Sequence, residues 1–395
     1  MKILTVDVGT GTQDIFLYDS QIDIENGFKL VLPSPTMMVR KRIQEATRSQ
    51  VPILLTGLTM GGGPSSWAVN DHLKAGFPVY ATENAARTLD DNLDAVAEMG
   101  IILVSDDEAS NLPTSIQRIE FRDFDFPAIT DVFARFGVSL DDLAAVAVAV
   151  FDHGAAPPDI SDRQFRFDYL DERIRERNAL SSFAFLAKDI PPIMTRLQAV
   201  ADSARDVDAP LIVMDTAPAA VLGATFDPIV AQRKQKIIAN IGNFHTLAFR
   251  LGDKGIEGVF EHHTGEIDLP KLEGYLQNLA DGTLQHETIF NDMGHGALIY
   301  NKEAMLLNGE DFDVVVTGPR RSMYSSALTP TLSPREREST PTLRPYFSVP
   351  FGDMMIAGCF GMLSATTDLL PNIAEDVRAS LKGAGGAGTP PWEIG

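Results

Sequence analysis

Cysteine is almost missing from this 395-residue chain: Cys359 stands alone. An internal disulfide is thereby excluded, and so is an iron–sulfur cluster held by three thiolates of this chain. Long apolar runs are missing too. The longest, Leu143 to Phe151, has nine residues, about half of the ~18 from which a membrane span is read. Basic residues are scarce beside acidic ones, 33 Lys+Arg against 54 Asp+Glu, leaving a net charge of −21. A surface of that sign repels phosphate backbones and anionic lipid, so neither nucleic acid nor membrane is an expected partner. The opening residues MKILTVDVG put Asp7 where a secretory leader would still be apolar, and a cytoplasmic location is the resulting expectation. Apolar residues, by contrast, make up 44% of the chain. That is enough for a core in each of two or three domains at roughly 150 residues apiece.

The pattern along the chain is α/β. Residues 2–8 (KILTVDV) and 14–18 (DIFLY) read as a hairpin around the turn GTGTQ. A strand is expected at 51–58, stopped by Gly61, Gly62 and Gly63, then a helix opening at Pro64 and another over 83–99. A helix near 128–136 precedes the apolar strand 144–151, which ends in Asp152-His153-Gly154; residues 165–200 read as helical and as a bridge between halves. The second half begins with LIVMDT (211–216) and an Ala-rich helix from Pro218. Strand-like segments 236–241 and 245–250 follow, separated by Gly242 and Asn243, then a helix at 269–280, VVVTG at 314–318 and a Gly-rich helical segment from Ile356. The two halves repeat one pattern, hairpin first and buried strands after, which predicts two similar domains, 1–200 and 201–395, around a central cleft. Residues 324–344, rich in Ser, Thr, Pro and Arg, read as a flexible insert in the second.

Several residues in these turns suit phosphate chemistry. Gly9, Thr10, Gly11, Thr12 and Gln13 follow a strand end, where small residues leave main-chain N–H groups free for phosphate oxygens. Asp7 projects from the same strand and suits a divalent cation. Asp152 and His153, at the end of the most apolar strand, are catalytic candidates, Asp152 to bind a metal or orient a water and His153 as an acid–base partner or phosphate donor. An ordinary hairpin turn and a strand-ending Asp-x-Gly would account for the same residues.

The string DVGTGTQD resembles the first phosphate loop, D-x-G-T, of the superfamily of sugar kinases, actin, acetate kinase and heat-shock chaperones. The resemblance implies two ribonuclease H-like (actin-like ATPase) domains with ATP and Mg bound between them. It implies a second phosphate loop, for which Gly242, Asn243 and Thr246 in NIGNFHT stand in the right order, and an adenosine loop, for which Thr317, Gly318 and Arg320 in VVVTGPR do. Asn243 and Pro319-Arg320 depart from the glycines expected there. By likeness to kinases of the glycerol-kinase type, Asp215 in DTAPAAVLG takes the place of the acid–base residue, although Asp-Thr-x-Pro also reads as a helix N-cap. The activity implied is phosphoryl transfer to a small molecule, or ATP hydrolysis.

Over nearly the whole chain, DVGTGTQD, FDHG, DTAPAA, NIGNFHT, EHHTG, GHGA, TGPRR and PFGDMM resemble a prokaryotic family within that superfamily that is labelled as pyruvate formate-lyase activating enzyme-like. That label implies cysteine-bound iron and sulfur, which a lone cysteine cannot provide. The histidines leave a different reading open. His153, His245, His262, His263 and His295 fall in short polar or Gly-rich stretches, and a small-ligand or metal-binding protein on the same fold could use His153, His245 and His295. Hydrogen bonds to loop carbonyls would also account for them. His262 and His263 are adjacent, so on a strand they point to opposite faces and one metal does not take both.

Overall fold

The structure, a computed structural model, describes residues 1–307, 311–325 and 342–383. Most of the expected 324–344 insert, residues 326–341, lies outside the described residues. In chain order the strands are β1 (Lys2–Val8), β2 (Thr12–Asp19), β3 (Phe28–Pro33), β4 (Ile53–Gly57), β5 (Val79–Thr82), β6 (Ile102–Val104), β7 (Gln117–Phe121) and β8 (Leu143–Val150). They continue with β9 (Ala184–Leu186), β10 (Leu211–Asp215), β11 (Lys236–Ile241), β12 (His245–Gly252), β13 (Gly255–His263), β14 (Gly296–Ile299), β15 (Val314–Thr317) and β16 (Pro345–Phe347).

Two six-stranded sheets, of order β3-β2-β1-β8-β10-β9 and β14-β13-β12-β11-β15-β16, are built alike. In the first, β1, β2 and β3 form an antiparallel meander, and β8 and then β10 add in parallel on the free side of β1. In the second, β11, β12 and β13 form the same meander, and β15 and then β16 add in parallel beside β11. This is the ribonuclease H-like order present twice, the two-lobed α/β architecture of actin-like ATPases. Parallel strands demand cover on both faces, and β8 shows how its sequence meets that demand. Ala145, Ala147 and Ala149 face one core with Ile3, Phe16 and Phe360, while Val146, Val148 and Val150 face another with Leu4, Val6 and Leu170.

The expected division at residue 200 does not follow the sheets. β10, at residues 211–215, pairs with β8 and completes the first one. Helix Ala357–Leu369, far along the chain, packs back on the same sheet through Cys359, Phe360 and Leu363. A second difference is a third sheet, all parallel, of order β6-β5-β4-β7. It is inserted between β3 and β8 and has its own core around Ile53, Leu55, Ala81 and Ile119. The helix expected over 83–99 is two short ones, Glu83–Ala86 and Leu93–Glu98, the latter capped by Asn92. That expected over 165–200 is Asp162–Glu176 and Thr195–Ser203 with β9 between, consistent with Pro191-Pro192, which cannot sit inside a helix. No helix among the described residues is long and apolar enough to cross a membrane.

The lobes are joined where helix Thr216–Ala224, leaving β10, crosses helix Ala357–Leu369. A Cβ on Gly223 would lie 1.7 Å from Ala357 O, and one on Gly361 would lie 1.9 Å from Ala219 O. Backbone therefore meets backbone, an approach that only glycine permits.

Candidate functional site: two equivalent turns and a histidine cluster

The β1–β2 and β11–β12 hairpins close in the same way. Gly9 N donates to Thr12 O at 2.9 Å, and Gly242 N donates to His245 O at 2.9 Å. In each turn the amides of the two central residues, Thr10 and Gly11 or Asn243 and Phe244, donate to no described residue. The turns also meet, since a Cβ on Gly11 would be 2.8 Å from Asn243 Nδ2. Between them lies a cavity of about 430 Å³. Gly9, Thr10, Gly11 and Thr12 border it from one lobe, and Gly242, Asn243, Thr317 and Gly318 from the other. Asp7 and Asn240, each two residues ahead of its turn's glycine, line it from equivalent positions. Gly61, Gly62 and Gly63, ahead of helix Pro64–Lys74 of the inserted region, form a third wall. Trp67 of that helix sits 5.5 Å, ring to ring, from Phe244.

Two carboxylates mark one end of the cavity. Asp7 and Asp14 are paired across the β1–β2 hairpin, and both border it. Asp7 Oδ1 accepts from Thr216 Oγ1 at 2.6 Å, whereas Asp14 Oδ1 is buried without a hydrogen-bond partner among the described residues. Burial pushes the Asp7 carboxyl up to about 6 against the Thr216 hydrogen bond. Burial and then the neighbouring Asp7 charge push Asp14 up to about 8. Two largely desolvated carboxylates with no cation beside them among the described residues are a donor set that a hard divalent ion would relieve.

Other expected residues have different work. Asp215 caps helix Thr216–Ala224 through Ala217 N and is ion-paired with Arg166. It does not border the cavity, so the acid–base role carried over to it is not supported. Asp152 does border it, but its Oδ1 accepts from Gly154 N and its Oδ2 from Arg196 N and Leu197 N, at 2.8, 3.0 and 2.9 Å. Its carboxylate thus ties down the loop after β8. Gln13 donates to Pro33 O, and Thr246 is bonded to Thr264. Both follow the cavity-lining Thr12 and His245 by one residue, and successive strand residues face opposite ways. Arg320 is exposed, with its amide on Ile241 O, and stays outside the cavity.

His153 and His245 border the cavity and belong to a cluster behind it. One ligand atom from each of His153, His245, Glu261 and His295 lies within 4.8 Å of all the others. Three of the five loop histidines are therefore brought together, whereas His262 Nδ1 bonds a loop carbonyl, that of His263. The expectation for the adjacent pair is met: His262 bonds Asp292, while the His263 ring lies on the other face, 4.7 Å from that of His295. Glu261, buried in β13, accepts from His245 Nδ1 at 3.0 Å and from Arg166 Nε at 3.2 Å. Burial, and then the neighbouring His245 and His295, hold His153 well below the usual imidazole range; His295 falls to about 3, mainly through burial. Burial alone would raise Glu261, but His295 and Arg166 outweigh it and keep the carboxyl well below its usual range. Sequence reasoning missed Glu261 and Arg166. Glu261 sits in a polar EHH run with no ligand spacing, and Arg166 sits in a helix so charge-rich that it reads as solvated, yet its side chain is fully buried.

Residues 60–323, about two thirds of the chain, match the family described as "Putative pyruvate format-lyase activating enzyme (DUF1786)". The chain belongs to this family. The activity in the family's description does not fit the thiol chemistry here. Cys359 is buried, its Sγ points at the carbonyls of Thr5 and Asp14, and burial pushes the thiol well above its usual range. Comparison with curated proteins finds no match. Among solved structures, the chain is similar to the ethanolamine utilization protein EutJ from Carboxydothermus hydrogenoformans, at 10% identity over 92% of this chain and 89% of that one, with a TM-score of 0.30. It is also similar to the activator of the 2-hydroxyisocaproyl-CoA dehydratase from Clostridium difficile, at 9% identity over 97% and 98%, with a TM-score of 0.33. A ROK hexokinase from Thermus thermophilus matches at 10% identity over 97% and 87%, with a TM-score of 0.25. The fold assignment rests on the strand order and register above.

Proposed function

We propose that the protein binds ATP in the cleft between its lobes and acts as an ATPase or as a phosphotransferase on a small molecule. The observation that carries this reading is the pair of equivalent turns. Each exposes two unbonded main-chain N–H groups, and the two approach one another across a single cavity, so one chain of phosphates could be held from both sides. The protein's strong negative charge would oppose a phosphate ligand, and Mg²⁺ held by Asp7 and Asp14 would offset that locally. The ion supplies charge neutralisation at the phosphate oxygens when bound. The chain's own residues orient the phosphates through Thr10, Gly11, Asn243 and Phe244, and lobe closure would exclude water from them. With Asp215 engaged by Arg166, no residue is assigned as the base.

Calorimetry with ATP and Mg²⁺ tests this reading. Saturable binding that requires the metal is expected. In Gly242→Val, whose Cβ would lie 2.6 Å from His245 O, the second turn is displaced and affinity falls at least ~10-fold, about 1.4 kcal/mol. Absence of heat at millimolar nucleotide with the wild-type protein overturns the proposal.

A further inference from the structure

The histidine cluster is separate from the Asp7 and Asp14 pair and calls for a different ion. We infer that His153, His245, His295 and Glu261 form a binding site for one divalent transition metal of the imidazole-preferring class, such as Zn²⁺, Fe²⁺ or Co²⁺, bridging the two lobes. His153 comes from the loop after β8 in the first lobe; the other three come from β12, β13 and the residue before β14 in the second. Ligand atoms ~2.1 Å from a common ion stand ~3.4 Å apart in a tetrahedron and ~4.2 Å apart when opposite in a larger shell. The four atoms here, all within 4.8 Å of one another, are slightly open and need only side-chain adjustment to close on an ion.

Polar and charge accounting point the same way. His295 Nδ1 is buried and has no hydrogen-bond partner among the described residues, a lone pair that coordination would use. Two buried carboxylates, Asp215 and Glu261, share one buried guanidinium, Arg166. One guanidinium against two carboxylates leaves an excess of buried negative charge that a cation would offset. Arg166 holds Glu261 Oε2 from behind, leaving Oε1 turned toward His245 and His295, an outer support of the kind ligating carboxylates require. Phe151, stacked 4.2 Å from the His245 ring, makes an apolar wall. Three imidazoles disfavour Mg²⁺, which prefers oxygen. Because His153 and His245 also border the cavity, the ion would face it and could take a ligand from it.

Untagged, chelator-treated full-length protein is titrated with Co²⁺, without nucleotide, and followed by visible ligand-field absorption. The outcome is thus independent of ATP binding. One saturable equivalent, displaced by Zn²⁺ and weakened as pH falls through protonation of the imidazoles, is expected. His295→Asn and His153→Asn each lose more affinity than the ~10–100-fold that loss of an outer-shell partner costs. His286→Asn, outside the cluster and bonded to Gln164, leaves affinity unchanged. Absence of saturable absorption in the wild-type protein overturns the site, whatever the variants do. So does full affinity in both folded cluster variants.

Discussion

Asp14 concentrates an electrostatic cost that a single substitution can reveal. Its carboxyl titrates near 8 in the folded protein against 3.8 as an ordinary carboxyl. Between those values the folded state holds a proton that the unfolded state has released, so this group lowers stability progressively as pH rises from about 4 to about 8. Asn cannot ionise. Asp14→Asn is therefore expected to stabilise the metal-free protein, on the order of 1–3 kcal/mol at pH 8, with the advantage shrinking toward pH 4. Urea denaturation across that range checks it, and equal stabilities at pH 8 would refute it. Saturating Mg²⁺ should erase part of the gain if the pair holds the ion. Asp7 could be read as a candidate cation ligand because it stands at a strand end beside a glycine turn. Asp14 lies in the same string, yet it comes opposite Asp7 only through the register of the hairpin, which depends on how the turn closes. Asp215 was misread for a related reason: its sequence surroundings suit a base and an N-cap equally, and the deciding partner, Arg166, lies 49 residues away.

At the scale of elements, the tightest constraint is the crossing of helices Thr216–Ala224 and Ala357–Leu369. Side chains cannot relax a contact in which the neighbour is main chain, so Gly223→Val should cost about 3 kcal/mol, measured by chemical denaturation. Gly274→Ala, in helix Leu269–Ala280 with nothing within 4 Å of its Cβ, should instead stabilise by ~0.5–1 kcal/mol. Reversal of that order would show that the helices do not cross as described. Most strands and helices were legible, because hairpins bounded by glycine and runs such as LAAVAVAV carry their own signal. β9 was not, since three residues between helical segments have no period to read. The inserted sheet was hidden differently: its strands were partly visible, but nothing local says that they pair with one another rather than with β1 or β8.

For the whole molecule, the duplicated sheets make a prediction about pairs of sites. A ligand gripped by both turns must slow amide exchange in residues 9–12 and 242–245 together. Hydrogen-exchange mass spectrometry with and without Mg²⁺ and ATP is expected to show protection in both; protection of one turn alone would contradict a shared ligand. Trp67, half exposed and beside Phe244, gives an optical report from the third wall. The duplication was readable because each half repeats hairpin and buried strand in the same order. The lobe boundary was not, because the last helix of the first lobe arrives after the whole second sheet has been laid down.

The glycine crossing is one of the points that fix the lobes against each other. Two helices touching main chain to main chain have no slack for sliding along their axes, so the crossing joins the lobes as a rivet joins the arms of a caliper, and Arg166 on Glu261 and Tyr300 on Asp171 tie the arms together beyond it. The cavity lies at the jaws, and His153 rides on one arm while His245 and His295 ride on the other. An ion gripped by all three would act as a clasp, setting the resting gap before any phosphate enters.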